Sequence, residues 1–196
     1  MLLKKESIDT FYYTIGNVFS TFVTFITLPI ITRIISPDEF GIFNYTNSIK
    51  NFLFIITSLS LNSFLLRYYF KLKNDEQKKI LFGTIFTFLL VFSSALLAIE
   101  LFLFPLLINY FSIQIAFDPF FKIMLINNYL EVAGIIPLVI YRVKKQPINY
   151  LFLTLFKSLL SISMGLLLMI FYDQGILGRY LGILYPNIGF LLVYFL

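Results

Sequence analysis

Three ionisable residues, Lys50, Glu131 and Lys157, stand in the middle of long apolar stretches. Each falls about ten residues from the nearer end of its stretch, which at about 1.5 Å of rise per helical residue is roughly 15 Å deep. If those stretches cross a bilayer, this depth is near the midplane. A lysine stem cannot snorkel that far, and a charge left there costs at least about 2.5 to 3.5 kcal/mol, so each must face protein or water. Two chemistries fit. In one, Glu131 pairs with Lys50 or Lys157 as a buried lock and one lysine is left over. In the other, a net-cationic lumen takes up an anion, because attraction to a phosphate strengthens severalfold as the effective dielectric falls from that of water toward about 20.

Polar, uncharged residues line up with these charges. Thr10, Thr14, Asn17, Thr21 and Thr24 recur every three or four residues, as do Asn44, Asn47 and Asn51, with Ser58 and Asn62 further along the same face and Lys50 at its edge. Asn127 and Asn128 cluster with Glu131, and Tyr150, Thr154, Lys157 and Ser161 share another face. Threonines so placed commonly glue helices together at about 0.6 kcal/mol each. Asparagines are harder to absorb in a dry interface, since each amide has donors and acceptors to satisfy, and a water-filled cavity satisfies them without special partners. Asn17, Asn47 and Asn51 therefore join Lys50 and Lys157 as candidate substrate ligands. Glu131 and Glu100 are candidate coupling or locking carboxylates, although no comparable stripe accompanies Glu100. Arg33, beside a Ser-Pro-Asp-Glu turn, reads as an interface anchor or gate. With no cysteine and no histidine, disulfides, thiolate chemistry, imidazole metal ligands and a histidine proton relay are excluded for this chain. No metal site and no cofactor is expected.

The elements that must position these residues follow from composition. The chain has 59% hydrophobic and 13% charged residues, against roughly 25% charged in a soluble domain. Uncharged runs at 10–32, 80–99, 101–117 and 180–196 approach or exceed the roughly 18 residues that license a membrane-spanning helix. Lys4 and Lys5 give the N-terminus the basic flank of a signal peptide, but the apolar segment is too long and no small-residue cleavage site follows. It is expected to stay as the first span. The fold class expected is an all-α, polytopic membrane helix bundle with helices near 9–35, 40–66, 79–109, 120–142, 147–172 and 176–196.

Charge placement gives the orientation. Lys4, Lys5, Arg67, Lys71, Lys73, Lys78, Lys79, Arg142, Lys144 and Lys145 fall at the N-terminus and in the second and fourth loops, while the other loops carry little more than Arg33, Lys122 and Arg179. This asymmetry predicts a cytoplasmic N-terminus. The net charge of +5 therefore reports topology, and no nucleic-acid partner is expected. Pro29, Pro105, Pro137 and Pro186 each remove a helical hydrogen bond and favour a kink. Gly175, Gly178, Gly182 and Gly189 favour close packing near the last span. No soluble domain, repeat or phosphate-binding glycine loop is visible, and the last run stops at Leu196 inside an apolar helix. Residues 1–196 are expected to form one six-helix lobe, truncated at its C-terminal end.

The stretch "TRIISPDEFG", with Arg33, Ile35, Pro37, Phe40 and Gly41, resembles the turn between the first two helices of polysaccharide exporters, the flippases of O-antigen and capsule repeat units. Ser36 departs from the glycine many members carry there. "SLSLNSFLLRYYF", closing on Arg67, is similar to the end of the family's second helix. Arg142, Tyr150, Gly175 and Gly178 sit where the family has a basic loop, a fifth helix and a Gly-x-x-Gly entry to the sixth. The resemblance implies the multidrug, oligosaccharidyl-lipid and polysaccharide exporter superfamily, with two six-helix lobes around a central cavity. It further implies an undecaprenyl-pyrophosphate-linked oligosaccharide as substrate in the bacterial plasma membrane. Membrane lipid, a polysaccharide polymerase with its assembly proteins, and a second lobe of the same chain would be its partners. The family has no strict catalytic motif to carry over. The expected role is a non-enzymatic flippase working by alternating access, with a proton or sodium as coupling ion left open. A drug-cation exporter of the same superfamily would prefer a carboxylate-rich cavity. A membrane glycosyltransferase or polymerase would need larger loops than these.

Overall fold

The computed structural model describes the backbone of residues 2–195 and the side chains of residues 14, 15, 18, 19 and 21–192. Its helices are α1 (Leu2–Ile34), α2 (Pro37–Ser58), α3 (Leu61–Tyr68), α4 (Asp75–Tyr110), α5 (Lys122–Ala133), α6 (Ile135–Val143), α7 (Pro147–Phe171) and α8 (Gly175–Phe195). No strand occurs among the described residues, and the fold is an all-α bundle. Sequence chemistry starts the helices where it should. Ser36 caps α2 in a capping box, its side chain accepting from the Glu39 amide while the Glu39 carboxylate accepts from the Ser36 amide, and Pro37 fills the first turn. Asn74 accepts from the Glu76 amide at the start of α4, and Pro147 opens α7.

The six predicted segments all form as helix, but two of them are broken. The second, expected to run unbroken over 40–66, stops at Ser58 and restarts at Leu61, with α2 and the segment 61–71 inclined by 43°. Leu59 and Ser60 both adopt left-handed backbone, at φ 48° and 52°, which costs about 1 to 2 kcal/mol for each such residue. The fourth is split at Gly134 between α5 and α6. Pro137 accounts for that split, because it has no amide to offer the carbonyl four residues back, at Ala133. Three helical stretches, Asp75–Tyr110, Phe117–Val143 and Pro147–Phe171, are long and apolar enough to cross a membrane, and the bent pair makes a fourth if taken as one span.

α5 is the axis of the bundle and packs on α2, α4 and α8, while α7 packs against α1 and α8. Two apolar clusters sit at its two ends. One gathers Ile31, Ile35, Ile108, Phe121, Met169 and Ile176, and so unites the α1–α2, α4–α5 and α7–α8 connections. The other gathers Leu65, Ile85, Leu89, Val132, Ile136, Val139 and Val143 around the α3–α4 and α6–α7 connections. Alternate connections therefore lie at opposite ends, as a serpentine bundle requires. Arg67, Lys71, Lys73, Lys78, Lys79, Arg142, Lys144 and Lys145 belong to the second end; Arg33 and Lys122, with Asp38, Glu39, Asp118 and Asp173, belong to the first. Lys4, Lys5 and Thr10 lie outside the described side chains.

Between the two ends the outer surface is apolar. Phe88, Val91, Ile99, Phe102 and Leu106 on α4, and Phe152, Phe156, Leu167 and Ile170 on α7, are all exposed. Lipid is the solvent that makes such a belt favourable.

α7 and α8 form the tightest pair. A Cβ on Gly182 would overlap the backbone of Gly165, and one on Gly178 would come within 2.8 Å of the Met169 amide nitrogen. Small residues at these positions let the two backbones touch.

Candidate functional site

α2 and α5 bring Lys50 and Glu131 together. The Lys50 ammonium donates to both carboxylate oxygens of Glu131, at 2.9 and 3.0 Å, with the side chains 14% and 27% exposed. α7 places Lys157 nearby, within electrostatic reach of both. Lys157 itself forms no hydrogen bond or ion pair among the described residues. The three charges that the sequence puts at one depth are thus neighbours in space, with Lys50 the locked lysine and Lys157 the spare one.

Glu131 and Lys157 open onto a cleft of about 530 Å³ between α1, α5, α7 and α8, lined also by Thr21, Thr24, Thr154, Ser158, Ser161, Arg179 and Asn187, with Ile162 and Ile183 as its apolar members. Lys50 and Asn47 line a small recess beside it, with Thr46, Asn127 and Tyr180. The wall between them is a hydrogen-bonded layer. Asn187 donates to Asn127 Oδ1 at 3.2 Å, Asn127 donates to the Tyr180 carbonyl at 3.4 Å, and the Tyr180 and Thr46 hydroxyls bond each other. Buried amides so engaged fix the mutual rotation of α2, α5 and α8.

Arg179 is the residue that loop assignment misplaces. The charge pattern counts it with the fifth connection, but α8 begins at Gly175, so Arg179 lies one turn inside the helix and reaches the cleft. Its side chain runs past Gly165, where a Cβ would meet Nη1 of Arg179 at an ordinary contact distance of 3.5 Å. The guanidinium also lies over the Phe43 ring, 5.9 Å from its centroid. A sequence signal existed: Arg179, Ile183 and Asn187 are spaced by four and share one helical face.

Ser161 shows how the cleft wall is satisfied. Pro186 deprives the Gly182 carbonyl of its helical donor, and the Ser161 hydroxyl donates to that carbonyl at 2.8 Å. The remaining predicted residues are scattered. Asn51 is exposed on α2 with Asn44 and Ser48, away from the lining of the cleft. Arg33 is exposed in the last turn of α1. Glu100 is half-buried on α4, without an ion pair among the described residues. Asn17 lies outside the described side chains.

The electrostatics are simple. Lys50 and Glu131 neutralise each other, and Glu131 is the one acid among the lining residues. Lys157 and Arg179 are left, among the described residues, as two cations without an ion pair, both lining the cleft. Such an arrangement attracts an anion.

A family model described as "Polysaccharide biosynthesis protein" matches residues 30–182, a stretch holding every cleft residue named above except Thr21 and Thr24 on α1 and Ile183 and Asn187 on α8. The chain belongs to the polysaccharide biosynthesis protein family. Searches of curated proteins and of solved structures found no match. Membership joins the lipid-facing belt and the membrane-length helices to one broad role, a membrane protein of polysaccharide biosynthesis. The opening turn around Pro37 and the start of the sixth segment, on which the resemblance rests, fall within the matched residues.

Proposed function

We propose that this member of the polysaccharide biosynthesis family is a multi-pass flippase of the bacterial plasma membrane. Its substrate would be an oligosaccharide repeat unit of O-antigen or capsule on undecaprenyl pyrophosphate, turned from the cytoplasmic to the outer leaflet. One observation carries the reading: Lys157 and Arg179 face a cleft of about 530 Å³ whose lining acid, Glu131, is already held by Lys50. A pyrophosphate diester carries two negative charges, and two uncompensated cations balance them. The hydroxyl oxygens of Thr154, Ser158 and Ser161 on the cleft wall can accept from a glycan, while the polyprenyl tail stays in lipid along the apolar belt.

The chain would act as the N-terminal lobe of a two-lobe transporter. Exposed Asn44, Ser48 and Asn51 on α2 add a polar face outside the cleft, suited to a shared hydrated path. Six crossings would place the basic end in the cytoplasm. Alternating access by rocking one lobe against the other then moves the anion outward, a direction the inside-negative potential favours by about 2.3 kcal/mol per charge per 100 mV. No bond is made or broken, so the protein works as a carrier and not as an enzyme. The two cations set against one neutralised acid disfavour a drug-cation exporter.

The test is surface polysaccharide recovered in a flippase-deficient bacterium carrying the full reading frame, at matched membrane abundance. Wild type should restore the polymer, while Lys157→Ala and Arg179→Ala should each lose most of it. Full recovery with both variants would sink the anion-handling role of the cleft.

A further inference from the structure

A second cationic site lies at the opposite side of the helix break, at the basic end of the bundle. Ser60, Ser63, Arg67 and Lys71 recur at steps of three, four and four on α3 and the helical turn that follows it, Tyr69–Lys71. Together they line a cleft of about 400 Å³. Neither the Arg67 guanidinium nor the Lys71 ammonium makes a hydrogen bond or ion pair among the described residues. One shoulder of the cleft is aromatic: Phe64 and Tyr68 stack at 5.2 Å with their planes 15° apart, and both are exposed. Phe70, beside them, is 62% exposed.

The break explains why this stripe points where it does. Two consecutive residues without glycine's freedom, Leu59 and Ser60, are held at positive φ, and the 43° bend re-aims α3 away from the line of α2. Leu65 is fully buried against the neighbouring core and anchors α3 in that pose. Aromatic rings beside cations, at the end of a lipid-facing bundle, are the side chains that suit the headgroup layer.

We propose that the Ser60–Lys71 cleft binds a lipid-borne phosphate in the cytoplasmic leaflet. The two cations hold the phosphate oxygens, the serine hydroxyls donate to them, and the Phe64–Tyr68 pair lies along the first carbons of the lipid. A phospholipid headgroup and a polyprenyl diphosphate share this chemistry. The site is separate from the Lys157–Arg179 cleft and stands or falls independently of it.

The test uses the purified full chain in nanodiscs of phosphatidylcholine doped with phosphatidylglycerol, reading which lipid is retained by native mass spectrometry. Wild type should retain phosphatidylglycerol selectively. Arg67→Gln with Lys71→Gln should weaken that retention by about 30-fold, as expected for two cations near the surface. Lys144→Gln with Lys145→Gln removes the same charge from another loop at the same end and should change it little. Arg67→Lys with Lys71→Arg, which keeps both charges, should keep binding. Added undecaprenyl pyrophosphate that displaces phosphatidylglycerol identifies the diphosphate as the preferred occupant; phosphatidylglycerol that stays identifies the phospholipid. Either result supports a phosphate site. Equal loss from the two glutamine pairs, or wild-type retention by the Arg67→Gln, Lys71→Gln protein, would overturn it.

Discussion

Lys50 and Glu131, 81 residues apart in sequence, meet across the α2–α5 contact as a bidentate pair at 2.9 and 3.0 Å. Such a pair is costly to desolvate and more costly to break, because the survivor is left charged without a partner. Lys50→Ala or Glu131→Ala alone should destabilise the protein by about 3 kcal/mol, the lower edge of the range for buried pairs, since Glu131 retains access to the cleft. Replacing both by apolar residues of similar volume, Lys50→Met with Glu131→Leu, should cost much less than the sum. Thermal unfolding in detergent, arranged as a double-mutant cycle, measures the difference. Additive losses would show that the two charges do not depend on each other.

The α7–α8 contact gives a sharper steric prediction. Gly182→Ala drives a methyl into the Gly165 backbone, whereas Gly189, on the same helix, has nothing within 4 Å of its Cβ position. Gly182→Ala should cost at least about 1 to 3 kcal/mol through overpacking. Gly189→Ala should be neutral or slightly stabilising, since alanine is the better helix former. Melting temperatures of the two variants decide the matter, and equal values would mean that the helices do not cross at Gly165.

Ser161 and Pro186 should be coupled, although they sit on different helices. The Ser161 hydroxyl is needed because Pro186 leaves the Gly182 carbonyl without its helical amide. Ser161→Ala alone should cost roughly 0.6 kcal/mol, a typical value for a polar contact between membrane helices. In a Pro186→Ala background the new backbone amide at position 186 satisfies the carbonyl, and the same serine substitution should then cost close to nothing. An unchanged penalty would leave the Ser161 bond without that explanation.

Glu39 ties two connections at one end of the bundle. Its Oε2 accepts from the Ser36 amide at 2.9 Å and its Oε1 from the Ile176 amide at 3.2 Å, beside Gly175 at φ 49°. The positive φ favours glycine there, and a Cβ on Gly175, within 2.6 Å of that Oε1, would push the Glu39 carboxylate off the Ile176 amide. Glu39→Ala should expose the Ile176 amide to exchange and lose about 1 kcal/mol with the capping box. Hydrogen exchange resolved at residue 176 is the measurement; unchanged protection would show that the α1–α2 turn does not hold α8.

How far this molecule could be read without coordinates depends on the range of the interaction. Hydrophobic runs and charge clusters are local, and they locate the six helical segments, two of them broken in the structure, and the end where Arg67, Lys71, Lys78 and Arg142 gather. The broken second segment escaped because nothing in "TSLSLNS" is a glycine or proline; the bend is held by long-range packing of Leu65, which local propensity does not encode. Depth along a helix brings Lys50, Glu131 and Lys157 together on paper, since residues at one level of a bundle are neighbours. It does not say which lysine Glu131 takes, because that depends on side-chain reach across α2 and α7. Arg179 is hidden by a boundary: whether the first turn of α8 is counted as loop or as helix decides between a loop charge and a cleft charge.

The cleft makes a chemical prediction that no steric account shares. The chain has no cysteine, so one introduced thiol reports its own surroundings. Ser158 lines the cleft beside Lys157, whereas Phe102, on α4, is 72% exposed on the apolar belt. In membranes, Ser158→Cys should react with a water-soluble methanethiosulfonate, and Phe102→Cys should not, because lipid excludes the reagent and disfavours the thiolate it needs. Sign should matter as well. With Lys157 and Arg179 uncompensated, a sulfonate-bearing reagent should modify Ser158→Cys at least about tenfold faster than an ammonium-bearing one of similar size. Adding Lys157→Gln and Arg179→Gln should erase that preference while leaving overall accessibility in place. A thiol at 158 that stays unreactive would mean the cleft is dry, and one that reacts without regard to sign would mean its cations are neutralised by groups other than Glu131.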